Sequence, residues 1–172
     1  EAITDALLPV YSKIAYPISL VRGEGVYVTD TDGNTYIDFY GGHCVCCLGH
    51  SPTEVIDAIT AQSRTLMFYS NLAPIPIRER AAKRLITYAA NGMSKVFFCN
   101  SGAEANENAL KIAVKATGRK KIVAYKGAFH GRTILAMNAT DAPAWHETFD
   151  KWIGRVARIT ANDTEGLSAI DE

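Results

Sequence analysis

Two short stretches of the sequence hold residue types that could do chemistry on a ligand. The first is Cys99-Asn100-Ser101-Gly102-Ala103-Glu104-Ala105-Asn106-Glu107. Its pattern predicts a turn from a strand over Lys95–Cys99 into a helix over Ala103–Ala116. The first N–H groups of a helix have no intrahelical partner and carry a partial positive charge, so they suit a phosphate. Gly102 lacks a Cβ and lets an anion approach the backbone. Ser101 adds a hydroxyl donor. In α/β proteins ligands sit beyond the carboxyl ends of the strands, where this turn falls. Ser101 and Glu104 also fit a capping box, and both readings hold together because a cap shapes the same helix start.

The second stretch, Ala128-Phe129-His130-Gly131-Arg132-Thr133, follows a strand expected over Lys121–Tyr125. Phe129 offers a flat apolar face to an aromatic ring. Arg132 can grip a carboxylate through two parallel hydrogen bonds. The plain alternative places Phe129 in the core and pairs Arg132 with a surface acid. A third cluster, His43, Cys44, Cys46, Cys47 and His50, has metal-ligand residue types but lacks the paired CxxC spacing of zinc sites. These cysteines read instead as small buried side chains in a reducing compartment.

The elements that position these residues follow from the same patterns. Residues 1–20 read as a helical or irregular lead-in ending near Pro17. A hairpin is expected from Val26–Thr29 through a turn at Asp30–Asn34 into Thr35–Phe39. Gly41 to Gly49 reads as a glycine-bounded loop or short strand. Ser51 as cap, Pro52 as first helical residue and Glu54 open a helix whose apolar side carries Val55, Ile56, Ile59 and Leu66. A loop at 69–76 precedes a helix from Ile77 to Ala90. Strand, helix and strand then alternate, with a loop over Gly127–Thr133, a third strand over Arg155–Ile159 and a last helix starting near Asn162 or Asp163. That alternation predicts an α/β domain with parallel strands.

The 172 residues and 18.7 kDa suit one ordinary domain, since domains cluster at about 100–150 residues. Eighteen basic residues balance eighteen acidic ones, which argues against a nucleic-acid partner. No apolar run approaches the ~18 residues of a membrane span, and no basic-then-apolar leader stands in the sequence. The chain starts at Glu1 rather than Met, and only three strands of an open sheet are expected, so it reads as a piece cut within a domain.

Asn100-Ser101-Gly102-Ala103-Glu104-Ala105-Asn106-Glu107 followed by Phe129-His130-Gly131-Arg132-Thr133 resembles the class III pyridoxal-phosphate aminotransferases, closest to the acetylornithine and ornithine type. Upstream, Arg22-Gly23-Glu24-Gly25, Asp32-Gly33, Asp38-Phe39, Gly49-His50 and Ser70-Asn71 follow the family's order. The resemblance implies the N-terminal part of a fold type I transferase: α/β, an incomplete mostly parallel sheet with flanking helices, plus a small N-terminal α+β segment. Residues 1–75 would contribute to the small domain and dimer interface, and 76–172 would form the first half of the large cofactor-binding domain.

By the same resemblance, Ser101, Gly102 and Ala103 would hold the phosphate of pyridoxal 5'-phosphate, Phe129 would stack on its ring, and Arg132 would bind the substrate carboxylate. His43 falls where ornithine-type relatives often have a tyrosine lining the substrate pocket. His130 is a candidate neighbour of the cofactor or a structural loop histidine. The Schiff-base lysine is expected beyond Glu172; Lys126 is the one local candidate, and reads as solvated. The implied protein is a cytoplasmic homodimer moving an amino group from an ω-amino acid to 2-oxoglutarate, with no nucleic-acid or membrane partner. The alternatives are a non-catalytic or split half needing a C-terminal partner, and an aminomutase of the same family.

Overall fold

In the computed structural model, residues 16–89, 92–146, 149, 156–168 and 170 are described. The expected lead-in at 1–15, the helix end at Ala90 and the strand start at Arg155 lie outside them. The chain divides into two compact units, Glu1–Pro76 and Ile77–Glu172.

The N-terminal unit carries a three-stranded antiparallel sheet, ordered β1 (Leu20–Glu24), β2 (Tyr27–Asp30), β3 (Thr35–Ile37). The β2–β3 hairpin is the expected one, with Val28 opposite Tyr36. Asp30 organises its turn. Its buried carboxylate accepts hydrogen bonds from the amides of Asp32 (2.9 Å) and Asn34 (2.8 Å), from the Asn34 side chain (3.0 Å) and from the Tyr36 hydroxyl (2.8 Å). The Asn34 side chain does most to hold this carboxyl below the usual carboxylate range; burial opposes it, and the Tyr36 hydroxyl and turn amides add to it. Strand β1 was not legible in the sequence, because Gly23 interrupts its alternation and a register shift separates Leu20 from Arg22.

Between the sheet and the next helix, Gly41–Cys44 forms one short turn, α1, where a loop or strand was expected. Gly41, Gly42, His43 and Cys44 all have φ between 55° and 62°. Glycine enters this left-handed region freely, whereas His43 and Cys44 each do so at a cost of roughly 1–2 kcal/mol. The cysteines are not buried as expected: Cys44 and Cys47 are exposed, as is Cys99, and Cys46 is half-buried. No described residue from Gly41 to Gly49 is buried, so this segment contributes nothing to a core.

Helix α2 spans Thr53–Thr65. Ser51 does not cap it, and Pro52 stands just before it rather than in its first turn. Ser51 sits at φ 52° and its hydroxyl donates instead to the Gly23 carbonyl of β1 at 2.8 Å. Helix α3 spans Pro76–Tyr88.

In the C-terminal unit α4 spans Gly102–Thr117, capped by Ser101 and closed by Gly118 at φ 71°. The αL glycine ends the helix, as Gly does at so many helix C-termini. Strands β4 (Val123–Tyr125) and β5 (Ala157–Ile159) pair in parallel. Between them lie α5 (Ile134–Ala139) and α6 (Pro143–His146), and a last helix spans Thr164–Ser168. Ala124, Ala139 and Val156 form the core of this layer, with Ile122 packed on it.

The strand expected at Lys95–Cys99 is not part of any sheet among the described residues; Phe97 and Phe98 are 66% and 44% exposed. Strand composition is met there, but a strand also needs a neighbour to complete its ladder. Helix α5 was unforeseen because its sequence, Ile-Leu-Ala-Met-Asn-Ala, is too short to show a helical period.

Candidate active site

The first turn of α4 is open. Ser101 and Gly102 are exposed, and a Cβ built on Gly102 would meet no heavy atom within 4 Å. Ser101 Oγ accepts from the Glu104 amide at 3.2 Å, which leaves the hydroxyl proton free to donate outward. Glu104 folds back and accepts from the Asn100 amide rather than from Ser101's own, a shifted form of the expected capping box. The amides of Gly102 and Ala103 find no acceptor among the described residues. Two orphan donors, one free hydroxyl and an uncovered Cα make a cradle that fits a phosphate group.

The 128–133 loop is mounted on that same turn. Gly131, buried and at φ 132°, lies against Ala103: an added Cβ would come within 2.6 Å of the Ala103 Cβ and 2.8 Å of its Cα. Asn106 donates to the His130 carbonyl at 2.7 Å, and the His130 amide donates to Thr140 Oγ1 at 2.9 Å. Glu107 reaches across from α4. Its Oε2 accepts from the Thr133 hydroxyl (2.7 Å) and the amides of Leu135 (2.9 Å) and Ala136 (3.2 Å), while Lys111 lies 3.5 Å from Oε1. Burial pushes the Glu107 carboxyl up, but these hydrogen bonds and the Lys111 charge outweigh it and hold the carboxyl below its ordinary range.

The start of the loop is tied to β5. Asp141 accepts from the Gly127 amide at 2.7 Å and forms an ion pair with Arg158 Nε at 3.2 Å. Arg158 also donates to the carbonyls of Asn138 (2.7 Å) and Thr140 (2.8 Å).

Phe129 is 61% exposed, so it is not a core residue. The Arg132 guanidinium lies 5.9 Å from the Phe129 ring centre and 5.4 Å from that of Trp145. The two rings meet edge to face at 6.4 Å. Cation–π contact with both rings restricts the guanidinium, which lowers the entropy cost of presenting it to a carboxylate. Lys126 is exposed at the end of β4.

Ser101, Gly102, Ala103, Phe129 and Arg132 therefore belong to one unit and to two joined segments. His43 belongs to the N-terminal unit, where the Tyr40 hydroxyl meets its Nδ1. Asp38 anchors that turn: Oδ1 accepts from the Tyr40 and Gly41 amides, both at 2.9 Å, and Oδ2 pairs with His50 Nε2 at 2.7 Å. The Gly41 amide, then the His50 ring and the Tyr40 amide, hold the Asp38 carboxyl below the usual range against a smaller opposing effect of burial. His50 is thus a turn-forming residue. Sequence reasoning missed Asn106, Glu107, Thr133, Asp141 and Arg158 as supports. Asn106, Glu107 and Thr133 stand inside the two motifs, which was the available signal; Asp141 and Arg158 carried none.

The chain belongs to the class III aminotransferase family, whose sequence model matches residues 10–172. Among individual proteins it is similar to the acetylornithine aminotransferase of Listeria monocytogenes, with 41% identity over 96% of this chain and 42% of that protein. Among solved structures it resembles the taurine:2-oxoglutarate aminotransferase of Bifidobacterium kashiwanohense in complex with PLP and glutamate. The TM-score there is 0.82 at 30% identity, covering 91% of this chain and 36% of the other. The omega transaminase of Pseudomonas jessenii in complex with PMP gives 0.74 at 34% identity, covering 84% and 34%. The fold is thus a part of the fold type I transferase architecture, as the motifs implied, and the chain spans about two fifths of the length of the curated relatives it matches. No helix among the described residues is long and apolar enough to cross a membrane.

Proposed function

We propose that this chain supplies the cofactor-phosphate and substrate-carboxylate groups of a pyridoxal-phosphate-dependent aminotransferase acting on an ω-amino acid such as N-acetylornithine or ornithine, with 2-oxoglutarate as acceptor. The open turn at Ser101–Ala103 carries the proposal, and the acetylornithine aminotransferase relatives support the substrate class. Pyridoxal phosphate, when bound, supplies an electron sink for the carbanion at the amino-bearing carbon. The chain's own residues bind and orient. Ser101 Oγ and the amides of Gly102 and Ala103 hold the phosphate, Phe129 covers one face of the ring, and Arg132 fixes the carboxylate end of the amino acid. The lysine that carries the cofactor belongs to the longer protein, which we take to be a cytoplasmic homodimer.

Gly102→Ala tests this in the full-length natural protein. The new methyl meets no protein atom, and an Ala in the first helical turn does not lower stability. It adds bulk beside the amides proposed to hold the phosphate. Titration should show pyridoxal phosphate binding weakened about tenfold or more, with pyridoxal, which lacks the phosphate, nearly unaffected. Unchanged affinity for pyridoxal phosphate would defeat the proposal.

A further inference from the structure

We propose that Glu107, acting through Thr133, is a positioning residue: it locks the 129–133 loop onto the helix that cradles the phosphate and so sets where Arg132 meets the substrate carboxylate. The inference rests on the function proposed above and deepens it.

Three observations carry it. Glu107 reaches out of α4 one turn after the cradle, and its side chain is only 13% exposed. One of its oxygens, Oε2, gathers three donors from the far side of the loop: the Thr133 hydroxyl and the Leu135 and Ala136 amides. The two amides belong to the start of α5, whose Thr133 cap makes no side-chain cap of its own, so Glu107 is the cap. Gly131 against Ala103 and Asn106 on the His130 carbonyl fix the near side of the same loop. Arg132 lies between these two attachments. Its backbone can move relative to the cradle only if one of them opens. A fixed separation between the phosphate site and a carboxylate-binding guanidinium is what selects the length of an amino acid held between them. A charge-assisted set of bonds suits that task, because such bonds are stronger and more directional than neutral ones.

The test uses the full-length, cofactor-loaded protein, with the cofactor-free form alongside. Glu107→Gln removes the charge at constant shape. The expected result is an amino-acid KM raised about fivefold or more, with kcat per loaded subunit and pyridoxal phosphate affinity changed less than about threefold. In the cofactor-free protein the Leu135 and Ala136 amides should exchange with solvent about tenfold faster, while exchange in the middle of α4 is unchanged. Thr133→Val should act in the same direction, and Thr133→Ser, which restores the hydroxyl, should return KM to the wild-type value. These last two variants decide the matter if Glu107→Gln does not fold. A KM that stays within twofold in both Glu107→Gln and Thr133→Val, with only a lowered Tm, overturns the inference and leaves these bonds as simple stabilisation. If KM also ignores Arg132→Ala, the underlying assignment of Arg132 fails, and this inference with it. A KM that depends on Arg132 but not on Glu107 overturns this inference alone.

Discussion

Arg132 sits with its guanidinium over two aromatic rings, at 5.9 Å and 5.4 Å. Cation–π contacts of this kind orient a guanidinium. Arg132→Ala should therefore raise the amino-acid KM by about a hundredfold while changing cofactor affinity by less than threefold, as expected for a lost charge-assisted bidentate contact. Equal losses in both would show that the residue serves the cofactor instead. Ser101 has an observed task as the N-cap of α4 and a proposed one at the phosphate, and one variant separates them. Ser101→Ala removes the N-cap, which costs about 1 kcal/mol of stability in chemical unfolding. By the function proposed above it would also remove one phosphate donor, so pyridoxal phosphate should bind more weakly than that stability loss alone explains.

At the scale of elements, the site depends on how closely the loop approaches α4. Gly131 allows that approach, and any Cβ there collides with Ala103 and occupies a φ of 132° that L side chains rarely adopt. Gly131→Ala should lower unfolding stability by roughly 1–3 kcal/mol through overpacking and should weaken cofactor binding. A variant as stable as the parent would show that the loop packs elsewhere. The Glu107 cap adds a pH dependence with a definite sign. Its folded-state carboxyl lies below the ordinary value of 4.5, so it stabilises the fold above that pH and ceases to do so as pH falls through the folded value. Urea unfolding of the parent and Glu107→Gln should differ at pH 7, and the difference should shrink in acid. A difference that is constant with pH would assign the effect to packing.

On the scale of the whole molecule, the helices show where apolar surface is left uncovered. Helices α2, α3 and α4 contain no buried residue, and Ile59, Leu85 and Ile112 are 63%, 50% and 62% exposed. Amphipathic helices gain most of their stability by burying one face. A polypeptide of just these 172 residues should bind a hydrophobic dye and self-associate, because large apolar patches are rare on monomers. A monodisperse, dye-free monomer with a sharp unfolding transition would contradict the exposure seen here. By the function proposed above, borohydride should fix the coenzyme absorbance irreversibly onto one lysine-bearing peptide that does not contain Lys126. Fixation on Lys126 would overturn the assignment of that residue as a solvated side chain.

Local chemistry was legible in the residues themselves. Ser101 as a cap, Gly118 as a helix end, the Asp30–Asn34 turn and the two motifs all act through neighbours a few positions away, and such short-range effects survive in a bare sequence. Ser51 shows the limit: its cap signal was correct in composition, yet a carbonyl 28 residues upstream took its hydroxyl. Lys95–Cys99 has the residues of a strand, but a strand exists only when a distant segment completes its hydrogen bonds. The same holds for the supports of the candidate site. That Glu107 caps α5, that Gly131 rests on Ala103, and that Arg158 anchors Asp141 are contacts between segments more than 15 positions apart, decided by how the chain packs. Residue types determined which groups could bind a phosphate and a carboxylate; tertiary packing decided how far apart they are held.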